Sequence, residues 1–421
     1  MGLYKHQQNL VDKNPNKHLL AWECGTGKSF ASMALAERKQ EVLGETFGVL
    51  VICPKSLKDK WTKDILEYSR WTNEQFAVMS KEEFKKHHKT MRRYPVVVVD
   101  EAHFFYGMTS QLHKALLWYM DHHRIIYRYH LTATPYMRTM WNLYAAMRLM
   151  GLDIDYMDWK RRYFDQVQMG WTLNKKGQRM PRLIPVQKPG LEAEASRIVK
   201  LIGTTVKMEE CFDVPPQVFK VETFDLTAEQ KRGMRELVDI LPVVRFTKEH
   251  QICGGTLKGD GYEPDQFYAS EKLQRVRELI EQSPEGIAVV CRYNAEVDYL
   301  KKELAGLGNL YSITGNDHNR HEIVAAVNQD PRPIVLINAA CSEGWEIPKV
   351  PIMVFYSLDF SLKNYVQMLG RIQRANNLKR NTYIHFTVKK SIDEQIYKKV
   401  VLEKQDFQIA IYEPEKNIRH R

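Results

Sequence analysis

Six short runs that are apolar at nearly every residue constrain this chain more than any other feature. They are LLAW (Leu19 to Trp22), GVLVICP (Gly48 to Pro54), VVVVD (Val96 to Asp100), IAVVC (Ile287 to Cys291), IVLIN (Ile334 to Asn338) and IMVFY (Ile352 to Tyr356). A strand with no polar side must be covered on both faces, which is how parallel strands packed under helices read. Helix-period stretches fall between the runs at Lys28 to Gln40, Leu57 to Tyr68, Ser270 to Gln282 and Glu296 to Leu304. The alternation predicts an α/β fold with two parallel sheets covered by helices, with ligands at the carboxyl ends of the strands. It also predicts a first lobe over residues 1–150 and a second over 223–421. The alternation stops in the stretch 151–222, which becomes aromatic and basic and leads into Pro215-Pro216.

The first apolar run opens onto ECGTGKS. Gly25 and Gly27 let backbone N–H groups turn inward, and Lys28-Ser29 begin a helix whose positive end favours phosphate. In such a loop Lys28 reaches the β/γ-phosphates of a nucleotide and Ser29 holds Mg²⁺. The strict pattern G-x-x-x-x-G-K-[ST] has its first glycine where this chain has Trp22, so an ordinary glycine turn capped by Ser29 stays open from this stretch alone.

VVVVDEAH supplies the second half of a phosphate site. Asp100 is placed to hold Mg²⁺ together with Ser29, and Glu101 to orient or deprotonate an attacking water. The reaction also needs positive charge on the γ-phosphate, and QMLGRIQRANN carries Arg371 and Arg374 three apart, sharing a helix face. Either could be that arginine, or both could be surface residues of an amphipathic helix. Gly25 to Ser29 therefore builds half a site, completed when an arginine arrives from the second lobe.

Composition narrows the class. With 421 residues, 44% hydrophobic and 27% charged, the chain has room for two or three domains with real cores. The 62 Lys+Arg against 51 Asp+Glu give a net charge of +11, which suits a polyanionic partner or reflects general surface charge. Six scattered cysteines without C-x-x-C spacing read as reduced and without metal, and no apolar run is long enough to span a bilayer. A cytoplasmic protein without a membrane partner is expected. The KEEFKKHHKTMRR run (Lys81 to Arg93) reads as a solvated helical face. Trp159, Tyr163, Phe164 and Trp171 lie among basic residues, with Asn174 to Gly177 as a hairpin turn. These aromatics either stack on unpaired bases or pack an accessory element onto the first lobe.

The ordered set LYKHQ, ECGTGKS, CPKSL, DEAH, LTATP, ITG, SEGWEIP and QMLGRIQR resembles superfamily 2 helicases and translocases. Within them the chain looks most like the Snf2-like branch in a compact, phage-type form with a DEAH box. That branch also lacks the first glycine of the strict phosphate-loop motif. FDLTAEQ, HQICGG followed by SEKLQRVRELIEQ, and KKSIDEQIYKKV resemble its later segments.

The resemblance implies two RecA-like lobes with an accessory segment, ATP and Mg²⁺ as ligands, and ATP-driven movement along duplex or branched DNA with weak sequence preference. A replication, recombination or repair role follows by analogy, in a bacterial host cytoplasm if the chain is phage-encoded. A helicase that separates RNA or single-stranded DNA, or a scaffold without catalysis, are the alternatives. Residue by residue, it gives Gln7 the reading of adenine and places Gly25, Thr26, Gly27, Lys28 and Ser29 around the phosphates. Gly344 and Glu346 approach the nucleotide from the second lobe, where the family usually shows Asp or Asn at the Glu346 position. His103, Thr132, Thr134 and Gln367 couple nucleotide to groove. Lys55, Ser56, Thr314 and Gly315 hold the phosphate backbone.

Overall fold

The computed structural model describes residues 2–45, 47–71, 74–136, 139–173, 178–238, 240–259, 264–317, 319–373 and 380–404. The chain divides into two compact units, Met1–Phe212 and Asp213–Arg421.

Unit 1 is built on a six-stranded parallel sheet. Its strands are β1 (Lys17–Trp22), β2 (Val49–Cys53), β3 (Phe76–Ser80), β4 (Val96–Val99), β5 (Tyr127–Leu131) and, after the hairpin β6 (Phe164–Leu173) and β7 (Arg179–Gln187), β8 (Gly203–Val206). The order across the sheet is β3-β2-β4-β5-β1-β8. Side chains alternate along each strand, so Leu50, Ile52, Val97 and Val99 enter one core while Val49, Val51, Val96 and Val98 enter the other. This double burial is why the valine run carries no polar residue. Each such side chain taken from water stabilises the unit by about 1.5–3 kcal/mol.

Unit 2 repeats the architecture. Its main strands are β9 (Val218–Phe224), then, after the short pair β10 (Thr256–Leu257) and β11 (Gln266–Phe267), β12 (Ile287–Cys291), β13 (Leu310–Ile313), β14 (Ile334–Asn338), β15 (Ile352–Phe355) and β16 (Thr382–Val388). They lie in the order β13-β14-β12-β15-β16-β9, all parallel. The two units have the RecA-like form: parallel sheets covered by helices on both faces.

Residues 151–222 divide between the units. Trp159, Tyr163 and Phe164 are buried in the unit 1 core, with Phe164 stacked on Trp141 at 4.3 Å. Strand β8 pairs with β1, and Gly203 permits the approach because a Cβ there would stand 1.9 Å from Leu19 O. Strand β9 pairs with β16 of unit 2. The residues Asn174 to Gly177 lie outside the described residues. The KEEFKKHHKTMRR run begins with a helix over Lys81–His87, capped by Ser80, that buries Phe84 and pairs Glu83 with Lys58 at 2.8 Å. Among the described residues no helix is long and apolar enough to cross a membrane.

Candidate active site

Three strand ends of unit 1 gather the predicted residues. The loop after β1 turns through Gly25 (φ 82°) and Gly27 (φ 80°), conformations that glycine adopts without Cβ strain. Helix α2 (Lys28–Leu43), which follows α1 (Lys5–Lys13) in the chain, starts immediately behind Gly27. Its first-turn N–H groups and partial positive charge form an end that favours an anion. Thr26 is buried and donates to Glu23 O at 2.7 Å, holding the loop closed on itself. Lys28 Nζ donates to Trp22 O and Glu23 O at 3.0 and 3.1 Å. The ammonium is thus stored on strand-end carbonyls beside the loop.

Helix α1 lies against the loop. Gln7 is buried, accepts from Tyr4 N–H at 2.9 Å and donates to Gly27 O at 3.1 Å. The amide proposed to read adenine is therefore a clamp between the helix start and the phosphate loop. His6 Nε2 lies 2.9 Å from Thr26 O, a second tie that the sequence reading passed over although His6 stands inside LYKHQ.

After β4 the chain presents Asp100 and Glu101. Asp100 is buried, and its two oxygens accept from Trp61 Nε1 at 2.8 Å and Glu101 N–H at 2.9 Å. Burial, with the Glu101 charge beside it, pushes the Asp100 carboxyl up to about 6, while Trp61 and Lys28 pull the other way. Two adjacent carboxylates at the end of a buried strand form a donor set that a divalent cation relieves, so the residues fit Mg²⁺. Glu101 is held at φ 47°, a left-handed backbone uncommon for a residue with a Cβ. Its Oε2 lies 3.2 Å from His103 Nδ1, which lies 3.1 Å from Thr132 Oγ1, and Thr132 Oγ1 accepts from Thr134 N–H at 3.1 Å. DEAH and LTATP are thereby joined in one chain of contacts.

Other predicted residues lie apart from this cluster. Lys55 and Ser56 are exposed in the short 3-10 turn after β2. In unit 2, Thr314 donates N–H and O–H to Asp317 Oδ2 at 2.5 and 2.8 Å, and Gly315 borders a cleft of about 470 Å³ with Arg292, Asn294, Asn338 and Lys258. Gly344 takes φ 85° in the loop that also holds Trp345, and Glu346 O accepts from Asn328 at 2.9 Å. Gln367 is buried and accepts from Ser342 at 2.9 Å.

Arg371 lies beyond the helix expected to carry it. The helix Leu362–Leu369 ends at Gly370, a poor helix former, and Arg371 follows it. Its guanidinium is buried, donating to Gln367 O at 3.1 Å and Trp345 O at 2.8 Å. Arg371 thus ties the helix end to the SEGWEIP loop. Arg374 lies outside the described residues.

The later segments of unit 2 converge in a buried cluster. His250 Nε2 lies 3.3 Å from Asp393 Oδ1, Lys272 Nζ binds Asp393 Oδ2 and donates to Tyr356 O at 2.9 Å, and Gln230 donates to Ile252 O at 2.7 Å. HQICGG, SEKLQ, SIDEQ and FDLTAEQ are therefore neighbours in space.

Residues 271–376 match the helicase conserved C-terminal domain. The sequence is 19% identical to the mouse Chromodomain-helicase-DNA-binding protein 1-like, over 91% of this chain and 46% of that protein. The zebrafish protein of the same name is 21% identical over 93% of this chain and 42% of its own length. The chain carries a helicase C-terminal domain match and is similar to Snf2-like superfamily 2 helicases. The chain spans less than half the length of those curated relatives. A solved structure, the Sulfolobus solfataricus SWI2/SNF2 ATPase core in complex with dsDNA, is similar at 16% identity over 96% of this chain and 91% of that one, with a TM-score of 0.42.

Proposed function

We propose that this chain hydrolyses ATP in unit 1 and uses the cycle to move along DNA, gripping the phosphate backbone and not the base sequence. The observation that carries the reading is the contact chain Glu101–His103–Thr132–Thr134, because it links the carboxylate assigned to water activation to a segment outside the phosphate loop. The positive-φ glycines and the start of α2 cradle the phosphates, and Lys28 exchanges its two carbonyl partners for β/γ-phosphate oxygens. Ser29 and Asp100 would hold Mg²⁺, which would supply charge neutralisation on the phosphates. Glu101 orients and deprotonates the water, and Gln7 keeps the loop registered against the adenine side. Gly344 and Glu346 contribute to nucleotide contact from unit 2.

The burial of Arg371 on main-chain carbonyls supports a positioning role for it, which assigns the charge on the transferring phosphoryl group to Arg374. Lys55 and Ser56 in unit 1, and Thr314 and Gly315 at the cleft of unit 2, are the backbone-phosphate contacts, with Gln367 as coupling residue. The net charge of +11 supports a polyanionic track. The name of the curated relatives favours DNA as the track, and a replication, recombination or repair setting is the finer reading by analogy.

The test is ATP turnover with blunt duplex DNA, forked DNA, single-stranded DNA and RNA. Duplex DNA is expected to stimulate most, and Lys28→Ala to abolish the stimulated rate with the fold intact. Stimulation by RNA alone favours a strand-separating RNA helicase, and stimulation by no polymer leaves a nucleotide-binding scaffold.

A further inference from the structure

The outer part of the β6–β7 hairpin is not used by the unit 1 core. Its root is packed: Phe164 stacks on Trp141, and Gln187 accepts from Met140 N–H at 2.6 Å and donates to Tyr136 Oη at 2.8 Å. Beyond the root the ribbon lies open, with Val167, Trp171, Leu173, Met180, Leu183 and Val186 all exposed. A two-stranded ribbon over which nothing packs among the described residues gains little from such side chains, so their exposure on both strands points to a ligand.

The chemistry of the ribbon names the ligand class. Residues 166–191 contain five Lys and Arg and no Asp or Glu. The Arg179 guanidinium lies 4.9 Å from the Trp171 ring centroid, yet Trp171 remains 54% exposed. A strand irregularity between Gln168 and Trp171 alters the pleat just before that ring. An open indole beside guanidinium groups suits a planar aromatic group attached to a polyanion. Paired bases hide their faces in the duplex stack, so the suitable form is unpaired.

We infer that the β6–β7 hairpin is a contact for unpaired nucleic acid, with Trp171 stacking on a base and Arg179 and Arg182 pairing with adjoining phosphates. The inference rests on the motor reading above and adds to it a site for strand junctions. The buried aromatics Trp159, Tyr163 and Phe164 take no part, since they are committed to packing.

The test compares the full chain with its Trp171→Ala variant on three probes at one salt concentration. These are a blunt DNA duplex, the same duplex with an unpaired tail carrying 2-aminopurine, and the tail strand alone. Affinity for the tailed duplex and the single strand should fall about tenfold or more, the size of one lost base stack. Blunt-duplex affinity and duplex-stimulated ATP turnover should be unchanged, and Trp171→Phe should restore most of the lost binding. Arg179→Gln with Arg182→Gln should reduce the salt slope on the single strand by about 1.4, two phosphates at about 0.7 each. Unchanged tail binding by Trp171→Ala, or an equal loss on the blunt duplex, overturns the hairpin site and leaves the motor reading standing. Absence of polymer stimulation in the wild type overturns the motor reading, while the tail-binding comparison still decides the hairpin.

Discussion

The His103 imidazole meets the Glu101 carboxylate at 3.2 Å, from a position where the same Nδ1 lies 3.1 Å from Thr132 Oγ1. One ring nitrogen therefore faces both the proposed base and the LTATP segment. Glu101 sits on a left-handed backbone that its own side chain does not favour, so its orientation depends on this neighbour. His103→Ala is expected to lower kcat about tenfold or more while the KM for ATP changes less than about threefold. His103→Asn, which keeps a hydrogen-bonding group, should recover part of the loss. A rise in KM with kcat intact would assign His103 to ATP binding instead.

Gly27 carries two constraints at once. Its φ of 80° disfavours any Cβ, and a Cβ built there would lie 2.2 Å from Gln7 Nε2. Gly27→Ala should therefore damage the phosphate loop and displace the Gln7 clamp together. The measured result should be an ATP affinity at least about tenfold weaker, equivalent to about 1.4 kcal/mol, the lower end of the cost of such backbone strain. Gly44→Ala is the control, because Gly44 also has positive φ (65°) but has nothing within 4 Å of its added Cβ. It should lose stability through the helix end and leave ATP affinity unchanged. Equal binding losses in the two variants would show that the Gln7 contact does not matter.

The Asp393 carboxylate is buried with Lys272 and His250 in unit 2. Burial works against its charge, and Lys272 with His250 more than offset that, so the carboxyl lies below its ordinary range. Removing one member strands the others in a low-dielectric core. Asp393→Ala should destabilise unit 2 by about 3–5 kcal/mol. The pair Lys272→Met with Asp393→Leu should recover most of that loss in denaturant melts followed by circular dichroism. A double variant as unstable as the single one would mean the cluster stabilises by shape and hydrogen bonding beyond its charge balance.

Apolar strands were legible because their double burial leaves a continuous run of Val, Ile and Leu, as at Val96 to Val99. Strand β5 was not, because YRYHL places Arg128 and His130 inside the core. Arg128 is accommodated there by donating to Ile125 O at 2.8 Å and Leu149 O at 2.7 Å, partners that no local pattern announces. The glycine turn after β1 and the Asp100-Glu101 pair after β4 were readable as strand-end features from residue type and order. Their supports were not: Trp61 reaches Asp100 from a different helix, and the left-handed backbone at Glu101 has no sequence signal. Arg371 falls off the expected helix because spacing implies a helix face only while the helix lasts, and it stops at Leu369. Among the four aromatics of the accessory stretch, burial separates Trp159, Tyr163 and Phe164 from Trp171, a distinction composition cannot make.

Three histidines, His130 and His385 buried and His18 half-buried, should weaken the fold in acid. Burial, with Lys13 nearby, holds His18 down at about 4, and burial with Arg128 holds His130 at about 3. Burial also holds His385 at about 4, against a bond to Lys220 O. In the unfolded chain each takes a proton near pH 6.5, so below that point the unfolded state binds more protons than the folded one. Stability is then present above about pH 6.5 and falls as pH drops toward 4 and 3, by up to about 1.4 kcal/mol per unit for each histidine. Seven of the eight tryptophans lie in unit 1, so their fluorescence follows the unit that contains His18 and His130. The urea midpoint of that signal should be lower at pH 5 than at pH 7.5. His130→Gln keeps a hydrogen-bonding group near Tyr106 but no titrating one. It should lower the midpoint at pH 7.5 and show a smaller drop on going to pH 5. A drop as large as that of the wild type would remove His130 from the acid response and leave it to His18, His113 and His123, whose imidazoles burial also holds below the ordinary value.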